Sequence, residues 1–252
     1  RALLAQPGIA WCPRKSVARL QRSPATNSAT TGDSAATGIW QALDDHGHTI
    51  AEAECVVLTA GPACNALLAA SSAPTLPLQS VRGQLSWGVQ DAGAAALPPF
   101  PVNGNGGLVA HVPRDAGLAW HMGSTFERDV DALPLTSAEV AAAHATNWRR
   151  LQELLPNAAP TLQAAFASTS PSDSAAVRAW ASVRCTATDR LPIVGPVDAQ
   201  ALPGLWVCTA MGARGLTRAV LCGELLAALV NAEPLPLDAR LARAMGTARL
   251  EK

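Results

Sequence analysis

Tyrosine is absent from this 252-residue chain, aromatic residues of any kind make up 4% of it, and lysine occurs only at Lys15 and Lys252. The other 17 of its 19 basic side chains are therefore arginine, a skew that fits a GC-rich coding sequence better than a functional demand. Charge is scarce, at 15% of residues, and balanced at 19 against 19. That balance argues against a polybasic surface and leaves room for a local arginine patch. The standard catalytic signatures are missing: there is no G-x-S-x-G, no H-E-x-x-H and no phosphate-binding loop of the G-x-x-x-x-G-K type. The only glycine-dense stretch, Asn103 to Gly107, lies between two strand-like segments without a following helix, so it reads as a hairpin turn.

Cysteine is sparse and scattered. Cys12, Cys55, Cys64, Cys185, Cys208 and Cys222 form no C-x-x-C pair and sit mostly among apolar neighbours, which predicts reduced core thiols of a cytosolic protein rather than zinc ligands or disulfides. The five histidines fall in separate segments, and ligand-like spacing occurs only at His46 and His48, in a turn. No metal site is expected. The longest charge-free stretch, Cys55 to Val81, is interrupted by Pro62, Pro74 and Pro77, which excludes a membrane span there. The chain opens at Arg1 with no initiator methionine and no signal-like segment, and so reads as a piece of a longer protein.

What is present is a substantial apolar fraction, 49%, enough to build a sizeable core. Strands are expected at Ile9 to Cys12, Ser16 to Leu20 and Gly38 to Leu43, with the Ser/Thr/Gly-rich segment 23–37 as a flexible hairpin loop. Val56-Val57-Leu58 followed by Thr-Ala-Gly-Pro has the pattern of a buried parallel strand whose carboxyl end opens on a ligand crevice; an ordinary strand and turn fits equally well. From Leu76 to Phe126 the spacing becomes hairpin-like, predicting an antiparallel sheet and a second domain. Thr136-Ser137-Ala138-Glu139 is a capping box opening a helix from Val140 to Leu155, which ends at Pro156. Leu205 to Ala210 predicts a strand, Met211 to Gly215 a glycine turn, and Leu216 to Asn231 a helix whose positions 216, 220, 221, 225, 228 and 229 form one apolar stripe. Strand, glycine turn and helix start together present backbone N–H groups to an anion or a polar cofactor.

Three arginines stand at the ends of apolar segments: Arg82 before Gly83, Arg184, and Arg214 before Gly215. Burying a guanidinium is costly without an anionic partner, and its fork matches a carboxylate or phosphate. One such residue usually means an ion pair; three favour a carboxylate or phosphate site. Arg149 and Arg150, on the capped helix, and Arg178 are the candidate contacts to a nucleic acid.

The segments Arg82-Gly83-Gln84, Val183 to Gly195, Met211 to Thr217, Gly223 to Ala227 and Glu233 to Leu237 resemble, in this order, the D-amino-acid-oxidase class of FAD-dependent oxidoreductases. The Gly-x-Arg-Gly-Leu-Thr and Glu-Pro-Leu-Pro-Leu pair is most similar to the branch whose oxidoreductase domain closes the bifunctional bacterial enzymes of 5-methylaminomethyl-2-thiouridine synthesis in tRNA. The resemblance implies an α/β, two-domain flavin-oxidase fold: residues 1–77 and 179–252 as parts of a Rossmann-like FAD-binding domain, and 78–178 as an antiparallel-sheet substrate domain, with the flavin ring between them. It implies FAD as cofactor, lined by Gly61, Pro62, Arg82, Gly83, Gln84, Gly212, Ala213, Gly215, Leu216 and Thr217, and catalysis at Arg184 and Arg214, which hold a substrate carboxylate. The implied partner is tRNA with an undermodified wobble uridine. The implied reaction is oxidation of the secondary amine of 5-carboxymethylaminomethyluridine, hydrolysis of the imine, and release of glyoxylate and 5-aminomethyluridine. A glycine or sarcosine oxidase, or a non-catalytic truncated module, are the competing readings. The class's dinucleotide fingerprint and the methyltransferase half lie outside these residues.

Overall fold

The computed structural model describes residues 3–23, 38–90, 96–115, 117–168 and 175–250. Apart from Ser23, the expected flexible loop lies outside them. In chain order the strands are β1 Arg19–Arg22, β2 Trp40–Leu43, β3 Thr49–Ala53, β4 Val56–Leu58, β5 Leu78–Val89, β6 Val102–Gly104, β7 Gly106–Arg114, β8 Gly117–Gly123, β9 Glu127–Arg128, β10 Arg178–Ala187, β11 Ile193–Pro196 and β12 Leu205–Thr209. The helices are α1 Cys64–Ala70, α2 Ser137–Leu154, α3 Gln163–Ala167, α4 Gly215–Val230 and α5 Ala239–Met245. The chain divides into two units, Arg1–Leu78 with Cys185–Lys252, and Gln79–Arg184.

In the first unit the ladder β11-β12-β4 pairs β12 with β4 in parallel, Val207 opposite Leu58, and β11 with β12 antiparallel. A parallel pair buried on both faces needs continuous apolar strands, and Val56-Val57-Leu58 and Leu205-Trp206-Val207-Cys208 supply them. Leu58, Leu68, Ile193, Leu205 and Val207 join Leu20 and Trp40 of the small sheet β1-β2-β3 in one core. Each such aliphatic side chain contributes about 1.5–3 kcal/mol on burial. The Trp40 indole N–H donates to the Pro203 carbonyl at 3.0 Å, so its polar edge is satisfied inside that core.

Three expectations need correction here. Ile9 to Cys12 form no strand: Ile9 and Trp11 are exposed, and the flanking Pro7, Gly8 and Pro13 favour turns over a ladder. Cys12 and Cys55 are exposed rather than core thiols, while Cys64, Cys185 and Cys222 are buried. On α4 the buried face is Cys222, Leu225 and Ala228, packed with Val194 of β11; Leu216, Val220 and Leu221 face outward, Leu216 with 97% of its surface exposed. A helix that is apolar nearly all round carries no periodic signal strong enough to say which stripe is covered.

The second unit is built on the sheet β10-β5-β8-β7-β6, with β9 also on β5. β5, β8, β7 and β6 pair antiparallel, and Asn105 turns β6 into β7 as the glycine-dense loop suggested. Helices α2 and α3 cover one face, where Leu108, Trp120, Met122, Leu151 and Leu162 form the core. The capping box is present: the Glu139 amide donates to Thr136 Oγ1, and the Thr136 amide to Glu139 Oε2 at 2.8 Å. Among the described residues no helix is long and apolar enough to cross a membrane.

Candidate functional site

In the first unit, β4 and β12 run parallel, so the segments that follow them emerge at the same end of the sheet. Both open on a glycine in the left-handed region, Gly61 at φ +59° and Gly212 at φ +61°, and both coil into a 3-10 turn, Gly61–Ala63 and Gly212–Arg214, that runs on into a helix. A Cβ would fit beside each glycine in ordinary van der Waals contact, at 3.6 Å from Cys185 Cβ for Gly61 and at 3.7 Å from Thr186 Oγ1 for Gly212. Helix α4 begins with no acidic residue in its first turn and no side-chain cap, leaving its leading N–H groups without a side-chain acceptor. Gly61, Pro62, Gly212, Ala213, Gly215, Leu216 and Thr217 are thus gathered at the carboxyl end of a parallel pair, the place where open α/β sheets bind ligands. Arg214 is exposed and enters no ion pair among the described residues. Asp189, a possible partner, is bound instead to Arg249, Nε to Oδ2 at 2.7 Å.

In the second unit, alternation along β5 separates the predicted Arg82-Gly83-Gln84 cluster onto two faces. Arg82 and Gln84 point to the helix side. Arg82 is 3% exposed; its Nη2 donates to Glu127 and Glu139, each at 2.6 Å, and its Nη1 to the Ala132 carbonyl at 2.9 Å. Gln84 is fully buried and donates to the Val140 carbonyl. Arg82 is thereby a doubly paired cation that ties β5 to β9 and to the start of α2; its Nε is buried without a hydrogen-bond partner among the described residues, but its charge is already met by two carboxylates. Two carboxylates raise its pKa, and Glu139, held by the Thr136 amide, Arg82 and the Thr136 hydroxyl, is lowered to about 2. Beside them Asn147 donates to the Gln84 carbonyl and Ser86 Oγ, and Ser86 contacts His144 Nδ1 at 2.8 Å. Burial keeps the His144 pKa below its ordinary value, which suits a neutral imidazole in that chain.

Gly83 faces the other side, and there it meets Arg184. Arg184 Nη2 donates to Ser124 Oγ, the guanidinium carbon stands 4.6 Å from the centre of the Phe126 ring, and Nη1 is buried with no hydrogen-bond partner among the described residues. No carboxylate pairs with it there. Burial alone lowers its pKa from the ordinary arginine value, but an arginine stays charged in any protein. A half-buried cation with one fixed edge and one orphaned donor has the chemistry to take an anionic partner. A Cβ on Gly83 would land on this guanidinium and on the Thr125 carbonyl. Arg184 belongs to the second unit and Arg214 to the first.

The sequence did not single out Ser124 and Phe126, which orient Arg184; their segment, Gly123-Ser124-Thr125-Phe126, read only as a strand end. Of the candidate nucleic-acid contacts, Arg149 pairs with Glu153 at 4.0 Å and Arg150 donates to the Ser124 carbonyl at 2.7 Å, while Arg178 lies 5.1 Å from the centre of the Trp87 ring.

Residues 3–229 match the family model of FAD dependent oxidoreductases. The chain is 52% identical, over 99% of its length, to the tRNA 5-methylaminomethyl-2-thiouridine biosynthesis bifunctional protein MnmC of Verminephrobacter eiseniae, and 52% identical over 99% to that of Delftia acidovorans. It spans 40% and 37% of those relatives. Among solved structures it is similar to glycine oxidase from Geobacillus kaustophilus, with TM-score 0.61 and 20% identity, covering 88% of this chain and 50% of that one. It is also similar to an Amadoriase I mutant from Aspergillus fumigatus, with TM-score 0.59 and 14% identity over 91% and 48%. These likenesses establish the α/β flavin-oxidase fold over part of those chains, and with a family model matched across nearly the whole sequence, the chain belongs to the FAD-dependent oxidoreductase family.

Proposed function

We propose that this chain is the later part of an FAD-dependent amine oxidoreductase that removes the carboxymethyl group from 5-carboxymethylaminomethyluridine at the wobble position of tRNA, leaving 5-aminomethyluridine and releasing glyoxylate. The observation that carries the chemistry is Arg184, a half-buried guanidinium with an orphaned Nη1 and no carboxylate against it among the described residues. The tRNA substrate rests on the two relatives named above, both 52% identical.

The residues present fit FAD: the left-handed glycine turns at Gly61 and Gly212 and the uncapped start of α4 suit close approach of a polar cofactor to backbone N–H groups. Gly61, Pro62, Gly212, Ala213, Gly215, Leu216 and Thr217 would hold it. When bound, the cofactor supplies the two-electron acceptor for oxidation of the amine to an imine. Arg184 binds the substrate carboxylate through its guanidinium, while Ser124 and Phe126 fix the fork and so fix the direction of the neighbouring methylene. Gly83 leaves the guanidinium its room. Arg214 of the first unit, exposed and free of ion pairs among the described residues, is the second candidate arginine for anion binding. Arg82 and Gln84 act at one remove, by holding β5 against α2. Water then adds to the imine, and the carbon–nitrogen bond breaks to give the primary amine and glyoxylate. No side chain is needed as a strong acid or base, because the cofactor carries the redox step.

The test uses the full-length, flavin-loaded protein. Undermodified tRNA should yield glyoxylate and 5-aminomethyluridine in equal amounts, with sarcosine and glycine turned over far more slowly. Faster oxidation of sarcosine than of tRNA would make it a free amino-acid oxidase, and no oxidation of either would make it a non-catalytic module.

A further inference from the structure

The face of the second unit's sheet that carries Arg184 continues past it. Arg184 lies against Gly83 and Arg178 against Trp87, so β10 runs antiparallel to β5. Residues two apart share a face, which puts Arg178, Trp180 and Arg184 on one side of β10 and Gly83, Leu85 and Trp87 on the same side of β5. Arg114 stands 4.0 Å from the centre of the Trp87 ring and Arg178 5.1 Å from it. Across the ladder, His121 lies opposite Trp87, its ring 6.1 Å away and tilted by only 16°. Trp180 is 56% exposed. Neither Arg114 nor Arg178 enters an ion pair among the described residues, and both are exposed.

Large aromatics normally leave water, and cations normally find carboxylates. Here two unpaired guanidiniums and two tryptophans share one surface patch, and in water that arrangement has little to stabilise it beyond modest cation–π contacts. The partner that uses both features at once is a single-stranded nucleic acid, whose bases stack on aromatic and guanidinium planes and whose phosphates pair with arginines. On the opposite, helix-covered face, α2 offers Arg149 and Arg150, each already engaged.

We propose that the patch formed by Trp87, Arg114, Arg178 and Trp180 stacks the unpaired nucleobases beside the substrate uridine. This deepens the reading given above and rests on it. Trp180 is four residues from Arg184 along β10, about 13 Å at strand rise, so a base stacked there and a carboxylate held by Arg184 belong to one short stretch of RNA.

The experiment measures equilibrium binding of undermodified tRNA to the full-length flavin-loaded protein at several salt concentrations. Trp180→Ala should weaken binding about 5- to 150-fold, the loss of one base stack. Arg114→Ala with Arg178→Ala should lower the slope of log affinity against log salt by about 1 to 2. Trp11→Ala, at a still more exposed tryptophan of the first unit, should bind as the wild type does. Unchanged flavin content and melting temperature verify that the variants fold. If the wild type binds tRNA and these variants bind it equally well, the patch is not the stacking surface, although the tRNA reading survives. If they change only the oligomeric state, the face is a protein interface and the proposal is overturned. If the wild type neither binds nor oxidises tRNA, the tRNA reading itself fails.

Discussion

Gly83 is where one missing atom matters most. Its would-be Cβ overlaps both the Arg184 guanidinium and the backbone of Thr125, and backbone cannot rotate aside. Gly83→Ala should therefore cost about 1–3 kcal/mol of stability, the usual range for overpacking, and displace Arg184 from Ser124. Chemical denaturation checks the first, and an unchanged midpoint would show that the site has slack. Gly212 behaves differently. A Cβ there meets nothing closer than 3.7 Å, so Gly212→Ala should cost only the left-handed strain, about 1–2 kcal/mol, and a larger loss of bound flavin than that would mark the space as the cofactor's. The thiols divide in the same way. Burial pushes the Cys208 thiol up to about 11, chiefly by desolvation, and raises Cys64, Cys185 and Cys222 as well. Alkylation at neutral pH should modify Cys12 and Cys55 first; rapid labelling of Cys208 would contradict its placement. Arg184 was legible in the sequence as an arginine in an apolar strand. Arg82 carried the same signal but is neutralised by Glu127 and Glu139, 45 and 57 residues away, a pairing that local pattern cannot reveal.

Helix α2 shows how far local chemistry reaches. Its capping box was readable because both partners lie within four residues, although the helix starts at Ser137, directly after the cap and three residues before the expected Val140. What local chemistry could not show is that Glu139 also bonds Arg82 of β5. Its folded pKa of about 2 lies below the ordinary value of 4.5, so its contribution is fully present above pH 4.5 and is lost as the pH falls toward 2. Unfolding midpoints of the wild type should drop across that window more steeply than those of Glu139→Gln; parallel pH profiles would exclude the linkage. In α4 the sequence places an apolar helix and half of its covered stripe, Leu225, Ala228 and Leu229, but extends that stripe to Leu216, Val220 and Leu221, which are exposed, and misses Cys222, which packs on Val194 of β11. Leu225→Ala should cost about 2–5 kcal/mol and Leu216→Ser less than about 0.5, as thermal melts of the two variants would show.

For the molecule as a whole, the change of texture along the chain was enough to expect an antiparallel sheet in a second domain, while the α/β frame came from the resemblance to the flavin oxidases. Short-range patterning marks strands and turns, β4 and β12 among them, because hydrophobic runs and glycine turns are local properties; that these two strands pair in parallel is known only from the fold. Which strand residues face a helix, as Arg82 and Gln84 do, and which face the open side, as Gly83 does, is decided by sheet partners 40 or more positions away in sequence, such as Thr125 and Glu127. The arginine that emerges from this sorting is Arg184, and it stands at the centre of the proposed chemistry. The most direct measurement is the steady-state kinetics of the full-length, flavin-loaded protein on undermodified tRNA with Arg184 replaced. If Arg184 grips the carboxylate, Arg184→Ala lowers kcat/KM on the order of 30- to several-thousand-fold with bound flavin unchanged, and Arg184→Lys restores only part, because charge returns without the fork. Wild-type kcat/KM in both variants would contradict it, and would leave the orphaned guanidinium a feature of folding alone.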